Sequence, residues 1–399
     1  MTSCISISVY LQIVLDNLNM KRSFRIATSV FFFIAGLTYS SWACRIHELK
    51  IHFDLNNAEL GSILFALPVG LMISLPISGW MVTRFGSRKV LITAGLCFPL
   101  MLALIGFTLH IWQLVIALFF FGFLNNVFEI AMNTQAVGIE ILYKRSIMAS
   151  FHGLWSIAGF TGIALGTVAI ALHYPVWLHF SAIAVICWIL VALNWKHLLP
   201  ADEPQEAQPV FVRPDRNILK LGLIAFASLI TEGTMFDWSG IYFQKIVLVP
   251  PSLTTLGYIA FMGTMAAGRF VGDRLVTRFG VKRVLQCSGM ISTSGLLLAV
   301  TLPNVYTATL GFLLTGIGVS SVVPLALALA GRSKTMPPGM AIAAVSTVGF
   351  LGFLIGPPLI GFIAEATNLR WSFTLIAILG FGTTLLASGI NTGEKIKAL

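Results

Sequence analysis

The sequence predicts an all-α membrane protein: twelve transmembrane helices in two pseudo-symmetric six-helix halves. Three observations lead there. The 399-residue chain is 57% hydrophobic and only 10% charged, where soluble domains carry about 25% charged residues. Its basic residues alternate between short loops in step with an even number of spans. Its two halves repeat one another.

Composition supplies the spans. Many stretches exceed the roughly 18 apolar residues that cross a bilayer, and helices satisfy their own backbone hydrogen bonds as lipid requires. Taken in order, the spans are expected at 25–45, 58–83, 90–109, 112–138, 148–172, 177–195, 218–244, 254–277, 284–302, 305–331, 340–365 and 371–391. The period-two pattern of a membrane β-barrel is absent. Residues 1–19 form an N-terminal extension without the basic front or apolar core of a signal peptide. Met20-Lys21-Arg22 reads like the start of a membrane protein, so Met1 and Met20 both stand as starting methionines. The first half covers 20–195, the second 218–391, and 392–399 is a short tail. Between the halves, 196–217 is a polar linker with Asp202, Glu203, Pro204, Glu206, Pro209 and Pro214.

The net charge of +10 is not a nucleic-acid footprint, because of where it lies. Lys21, Arg22, Arg25, Arg84, Arg88, Lys89, Lys144 and Arg145 fall on the side of the termini. So do Lys196, Arg213, Arg216, Lys220, Arg274, Arg278, Lys282, Arg283, Arg332, Lys334, Lys395 and Lys397. Only Arg45, Lys50, Lys245 and Arg370 fall opposite, and Arg269 is within a span. Twenty against four is a positive-inside bias that puts both termini in the cytoplasm. Cys4, Cys44, Cys97, Cys187 and Cys287 show no CxxC pair or metal-ligand spacing, so reduced structural cysteines are expected.

The repeat is explicit. MVTRFGSRKVL (81–91) matches LVTRFGVKRVL (275–285), and SIAGFTGIALG (156–166) matches STVGFLGFLIG (346–356). YSSW (39–42) and MFDW (235–238) echo more faintly. Two like-oriented six-helix halves form a transporter architecture with its substrate site near the midplane between them.

The segment Gly79-x-x-x-Thr83-Arg84-Phe85-Gly86-Ser87-Arg88-Lys89 resembles the signature loop of the major facilitator superfamily, with Thr83 where the family usually has Asp. The second half has Gly272 and Asp273 before Arg278 and Gly280. SWACR (41–45), EIAMN (129–133), FHGLWS (151–156), EGTMFDW (232–238) and GPPLIG (356–361) look like the YbjJ type of bacterial inner-membrane transporter. That type is distantly similar to the fucose/hexose:proton symporters. The resemblance implies a cavity lined by spans 1, 4, 7 and 10 and an acid on span 4, a place Glu129 matches by helix.

Several residues carry chemistry that an apolar helix does not need. Asn125, Glu129 and Asn133 repeat every four residues and form one polar stripe, with Asn126 and Gln135 beside it. The stripe should face the cavity rather than lipid, with Glu129 as a proton carrier; an interhelical packing network is the alternative. His152 lies at a similar depth and could relay the proton, or be a satisfied core histidine. Glu232 and Asp237 sit inside span 7, where each central charge disfavours insertion by about 2.5–3.5 kcal/mol. They should face the protein interior or water. Five residues turn a straight helix by about 140°, so the two have separate roles in substrate contact and proton or gate duty, or else orient the helix through polar bonds. Tyr39, Trp42, Trp155 and Trp238 could stack on a sugar face or simply pack; of these, Tyr39, Trp42 and Trp238 join Asn125, Asn133, Glu232 and Asp237 as the substrate-binding set. Arg84, Arg88, Arg269, Asp273 and Arg278 read as cytoplasmic gate elements. Glycines 159, 162 and 166, with 349, 352 and 356, mark close helix contacts.

No Walker loop, nucleophile elbow or HExxH occurs, so neither ATP-driven transport nor a membrane enzyme is expected. No cofactor or metal is implied. The expected function is proton-coupled alternating-access transport of a small polar solute, sugar or sugar-like, by a monomer in the bacterial inner membrane. Its partners are the solute, protons and the bilayer. Proton-driven efflux of amphiphilic or toxic compounds and a transporter-like ligand receptor are the alternatives.

Overall fold

The computed structural model describes residues 2–143, 147–200, 215–333, 335–336 and 338–390, with side chains from Met20 onward except those of 149, 273, 338, 339 and 343. The first half contains α1 (Thr2–Ala43), α2 (Ile46–His52), α3 (Asn57–Leu64), α4 (Ala66–Phe85), α5 (Ser87–Gly106), α6 (Ile111–Tyr143), α7 (Met148–Ala171) and α8 (Val176–Asn194). The second contains α9 (Arg216–Lys245), α10 (Leu256–Phe279), α11 (Val281–Thr301), α12 (Val305–Val319), α13 (Val322–Ala330), α14 (Pro338–Ala366) and α15 (Leu369–Ser388). Eleven helical segments are long and apolar enough to cross a membrane among the described residues. The remaining expected span is α10, 24 residues long, which carries Arg269, Asp273, Arg274 and Arg278 in its second half. The outer surface is apolar, with residues such as Leu193, Ile378 and Trp112 more than half exposed, as a lipid-facing surface requires.

Two expected spans are broken. The second consists of α3 and α4, which part at Phe65, and Pro68 offers no N–H to the carbonyl of Leu64. The tenth consists of α12 and α13, which part at Ser320 and Ser321, and Pro324 offers none to the carbonyl of Ser320. The linker beyond residue 200, as far as 214, and the tail 392–399 lie outside the described residues. So do the side chains of the extension, whose backbone is continuous with α1.

The duplicated TRFG segments have one local cause. Gly86 and Gly280 end α4 and α10 with φ of 83° and 81°, and their N–H groups donate to the carbonyls of Val82 and Val276. Only glycine adopts that conformation without strain. The other repeat packs each half internally. A Cβ at Gly162 would lie 2.9 Å from the Leu37 carbonyl oxygen of α1, and one at Gly352 would lie 2.7 Å from the Phe226 carbonyl oxygen of α9. Gly162 and Gly352 therefore join helices within a half, whereas a Cβ at Gly159 of the same repeat would lie 2.7 Å from Met262 of α10 across the seam.

We call the end bearing Met20, Arg216 and Ser388 proximal and the other distal. The halves meet at the distal end. The Asn57 N–H donates to Glu365 at 2.9 Å, and the Thr167 and Thr255 hydroxyls lie 2.7 Å apart. Gly61 of α3 faces Gly361 of α14 so closely that a Cβ on the latter would sit 3.0 Å from the Gly61 Cα.

Candidate functional site

Between the halves lies a cavity of about 650 Å³. Its proximal wall includes Met148, the first residue of α7, and Leu327 near the end of α13. Its distal limit is set by Tyr39, Leu64 and Pro357, below the closed seam. The cavity thus opens toward the proximal end.

Helical periodicity explains which side chains reach it. On α6, Asn125, Glu129, Met132 and Asn133 line the cavity, an arc of about 100° at 100° per residue. The Asn125 amide hydrogen-bonds the Glu129 carboxyl. The neighbours on the stripe go elsewhere. Asn126 donates to Ser74 and Ser78 of α4 at 2.8 and 3.1 Å. Gln135 donates to Ser87 at 2.7 Å and accepts the Leu199 N–H at 2.8 Å. On α9, Leu229, Glu232, Phe236 and Asp237 line the cavity. The two acids sit at the edges of an arc of about 140°. They do not share a face, yet one cavity is wide enough to take both.

Their surroundings differ. Glu232 is 8% exposed and pairs with Arg269 at 3.7 Å. Asp237 is half-buried, and no hydrogen bond or ion pair to it is found among the described residues. Arg269 of α10 also donates to Ser156 of α7 at 3.1 Å and lies over the Trp155 ring at 5.7 Å. It therefore ties the two halves together at the cavity wall. Its side chain points into the seam between α7 and α9.

His152 lines the cavity, edge-on to Phe32 at 5.3 Å. No hydrogen bond or ion pair joins His152 to Glu129 among the described residues. Tyr39 lines the cavity and bridges the halves, its ring 6.4 Å from Phe121 and 5.7 Å from Phe236. Trp42 and Trp238, at 1% and 0% exposure, do not line it. Trp42 packs on Phe121, and both indoles belong to the buried core cluster.

No hydrogen bond or ion pair joins Arg84, Arg88 and Arg278 to one another among the described residues. Arg88 donates to the carbonyls of Trp195 and Lys196 at 3.4 and 3.2 Å, within the first half. Arg278 lies over its neighbour Phe279 at 5.3 Å, Arg84 is exposed, and the Asp273 side chain lies outside the described residues. Sequence reasoning missed Ser320, Ser321 and Pro324, which place the break between α12 and α13 on the cavity wall. The signal was Pro324 in SSVVP, a proline inside an apolar run.

The sequence matches the model of the Major Facilitator Superfamily over residues 24–256 and 221–390. An uncharacterized MFS-type transporter of Yersinia pestis is 33% identical over 356 residues, 89% of this chain and 92% of that protein. The chain belongs to the major facilitator superfamily. Within the superfamily it is also similar to a cis,cis-muconate transport protein of Acinetobacter baylyi, 21% identical over 351 residues, 83% of this chain and 84% of the other. A crystal structure of a bacterial homologue of the human lysosomal transporter Spinster, inward-facing and unoccupied, shares the superfamily fold. Its TM-score is 0.72 at 12% identity, over 92% of this chain and 97% of that one. The protein is a multi-pass transporter of this superfamily.

Proposed function

We propose that this transporter moves a small polar solute, sugar or sugar-like, by alternating access coupled to protons. The carrying observation is the half-open cavity in which Glu129 and Asp237 stand without a basic partner among the described residues. Ionisable side chains inside apolar membrane helices mark substrate paths and proton relays. In this reading Glu129 carries the coupling proton, with His152 on its path to the proximal opening. Asn125, Asn133, Asp237 and Tyr39 contact the solute. Arg269 pairs with Glu232 and holds the halves together until the solute arrives. The proximal opening faces the cytoplasm of the bacterial inner membrane, and Arg84, Arg88, Asp273 and Arg278 close it in the opposite state. One charge crossing 100 mV supplies about 2.3 kcal/mol, roughly forty-fold accumulation, so ATP is not needed.

A dicarboxylate such as the one named for the Acinetobacter relative suits this cavity less well, because the one lysine or arginine lining it among the described residues, Arg269, is already engaged by Glu232 and Ser156. Efflux of amphiphilic compounds is the second reading, favoured by the apolar wall of Leu67, Leu71, Phe350 and Phe353. A thermal-shift screen against sugars, sugar acids and amphiphilic drugs separates these classes. With the stabilising compound in proteoliposomes, Glu129→Gln should keep counterflow exchange and lose gradient-driven accumulation. Full accumulation by Glu129→Gln would remove this residue from coupling.

A further inference from the structure

A second cavity, of about 350 Å³, lies at the distal end on the seam between the halves. Lys50 and Asn57 line it from the first half, and Lys245, Glu365 and Asn368 from the second. Neither lysine is in an ion pair among the described residues. Lys50, only 7% exposed as a residue, donates through its ammonium to the side chain of Asn57. Glu365 is the one carboxylate lining the cavity, and one of its oxygens already accepts the Asn57 N–H. Two cations thus face one small space with one partly occupied anion between the helices that carry them. Like charges brought together at a seam oppose its closing, and a buried ammonium without a counter-ion is costly.

We propose that this seam cavity binds a small oxyanion, of the carboxylate, sulfate or phosphate class, between Lys50 and Lys245, and that the bound anion holds the distal end shut. The two lysines belong to different halves, so opening this end parts them and dismantles the site. A ligand that binds one conformation alone shifts the equilibrium toward it by one plus the ratio of concentration to Kd. At ten times Kd the closed population should rise about elevenfold relative to the open one. The site is separate from the central cavity and does not depend on what that cavity carries.

The test uses the purified full-length protein. Sodium phosphate, sulfate and acetate are titrated at an ionic strength held constant with sodium chloride. Hydrogen exchange at 56–61 and 363–368 is followed together with the unfolding temperature. The expected result is a saturable slowing of exchange in both segments, at least fivefold weaker in Lys245→Gln and in Lys50→Gln. The anion that saturates lowest identifies the ligand class. Lys245 is exposed, so its variant should fold even if the Lys50 variant does not, and it decides the outcome alone. A response equal in the unaltered chain and Lys245→Gln is a general salt effect and overturns the proposal, as does no response beyond chloride.

Discussion

Replacing Gly61 by alanine should force the distal seam apart. A Cβ at residue 61 would lie 2.6 Å from the Pro357 carbonyl oxygen and 3.1 Å from the Gly361 Cα. Carbon atoms in contact prefer about 3.5–4.0 Å, so α3 and α14 must separate by about 1 Å. The obstructing atoms are backbone and cannot rotate away. Forcing one extra carbon into such packing costs about 1–3 kcal/mol. The strain disappears when the halves part at this end, so it acts only on the distal-closed conformation, whereas alanine's better helix propensity favours both. At 1.4 kcal/mol per decade the population should move about 5- to 140-fold toward the distal-open state. The assay places a single cysteine at Met148, on the proximal wall of the cavity, in a chain whose native cysteines are replaced. Its modification rate by an impermeant maleimide is read from the proximal side. Labelling should slow in Gly61→Ala, by up to the full population factor once the distal-open state is the major one. It should be unchanged in Gly79→Ala, where a Cβ meets nothing within 4 Å. Equal rates in all three chains would refute the reasoning.

Further predictions concern charge and local conformation. Arg269→Met strands Glu232 without its counter-charge and should lower stability by about 3–5 kcal/mol at neutral pH; adding Glu232→Gln should restore most of it, and additive losses in a thermal double-mutant cycle would show that the pair is not coupled. Asp215 caps α9 through the N–H groups of Asn217 and Ile218, both at 2.8 Å. The Thr335 hydroxyl first, and then the Ile218 N–H, hold its carboxyl below the ordinary 3.8. Asp215→Ala should therefore lose about 1 kcal/mol. The native advantage is full above the unfolded value and fades as pH falls through the lowered one; an advantage that persists when Asp215 is protonated would contradict this. Gly280→Ala should cost about 1–3 kcal/mol because of its positive φ, with Gly86→Ala close to it; unfolding temperatures unchanged in both would sink the common explanation of the repeat.

The sequence by itself determined the membrane-spanning helices and their order. Hydropathy and loop charge accumulate residue by residue along the chain, and a bilayer reads them locally. The Gly86 and Gly280 turns were equally legible, because a backbone conformation that only glycine adopts belongs to one position. The stripe Asn125–Glu129–Asn133 could be assigned to a cavity because fourfold spacing fixes one face of one helix. What neighbouring helices do to that face needed the tertiary structure. Asn126 and Gln135 adjoin the stripe but are consumed by α4, Ser87 and Leu199. Trp42 and Trp238 look like sugar-stacking residues, yet they are buried away from the cavity. Arg269 sits among gate residues in the sequence, but its long side chain crosses to Glu232 and Ser156. The distal closure over Gly61 and Gly361 joins residues 300 positions apart. Such contacts depend on how two rigid halves dock, and no local property of the chain encodes the side on which they touch.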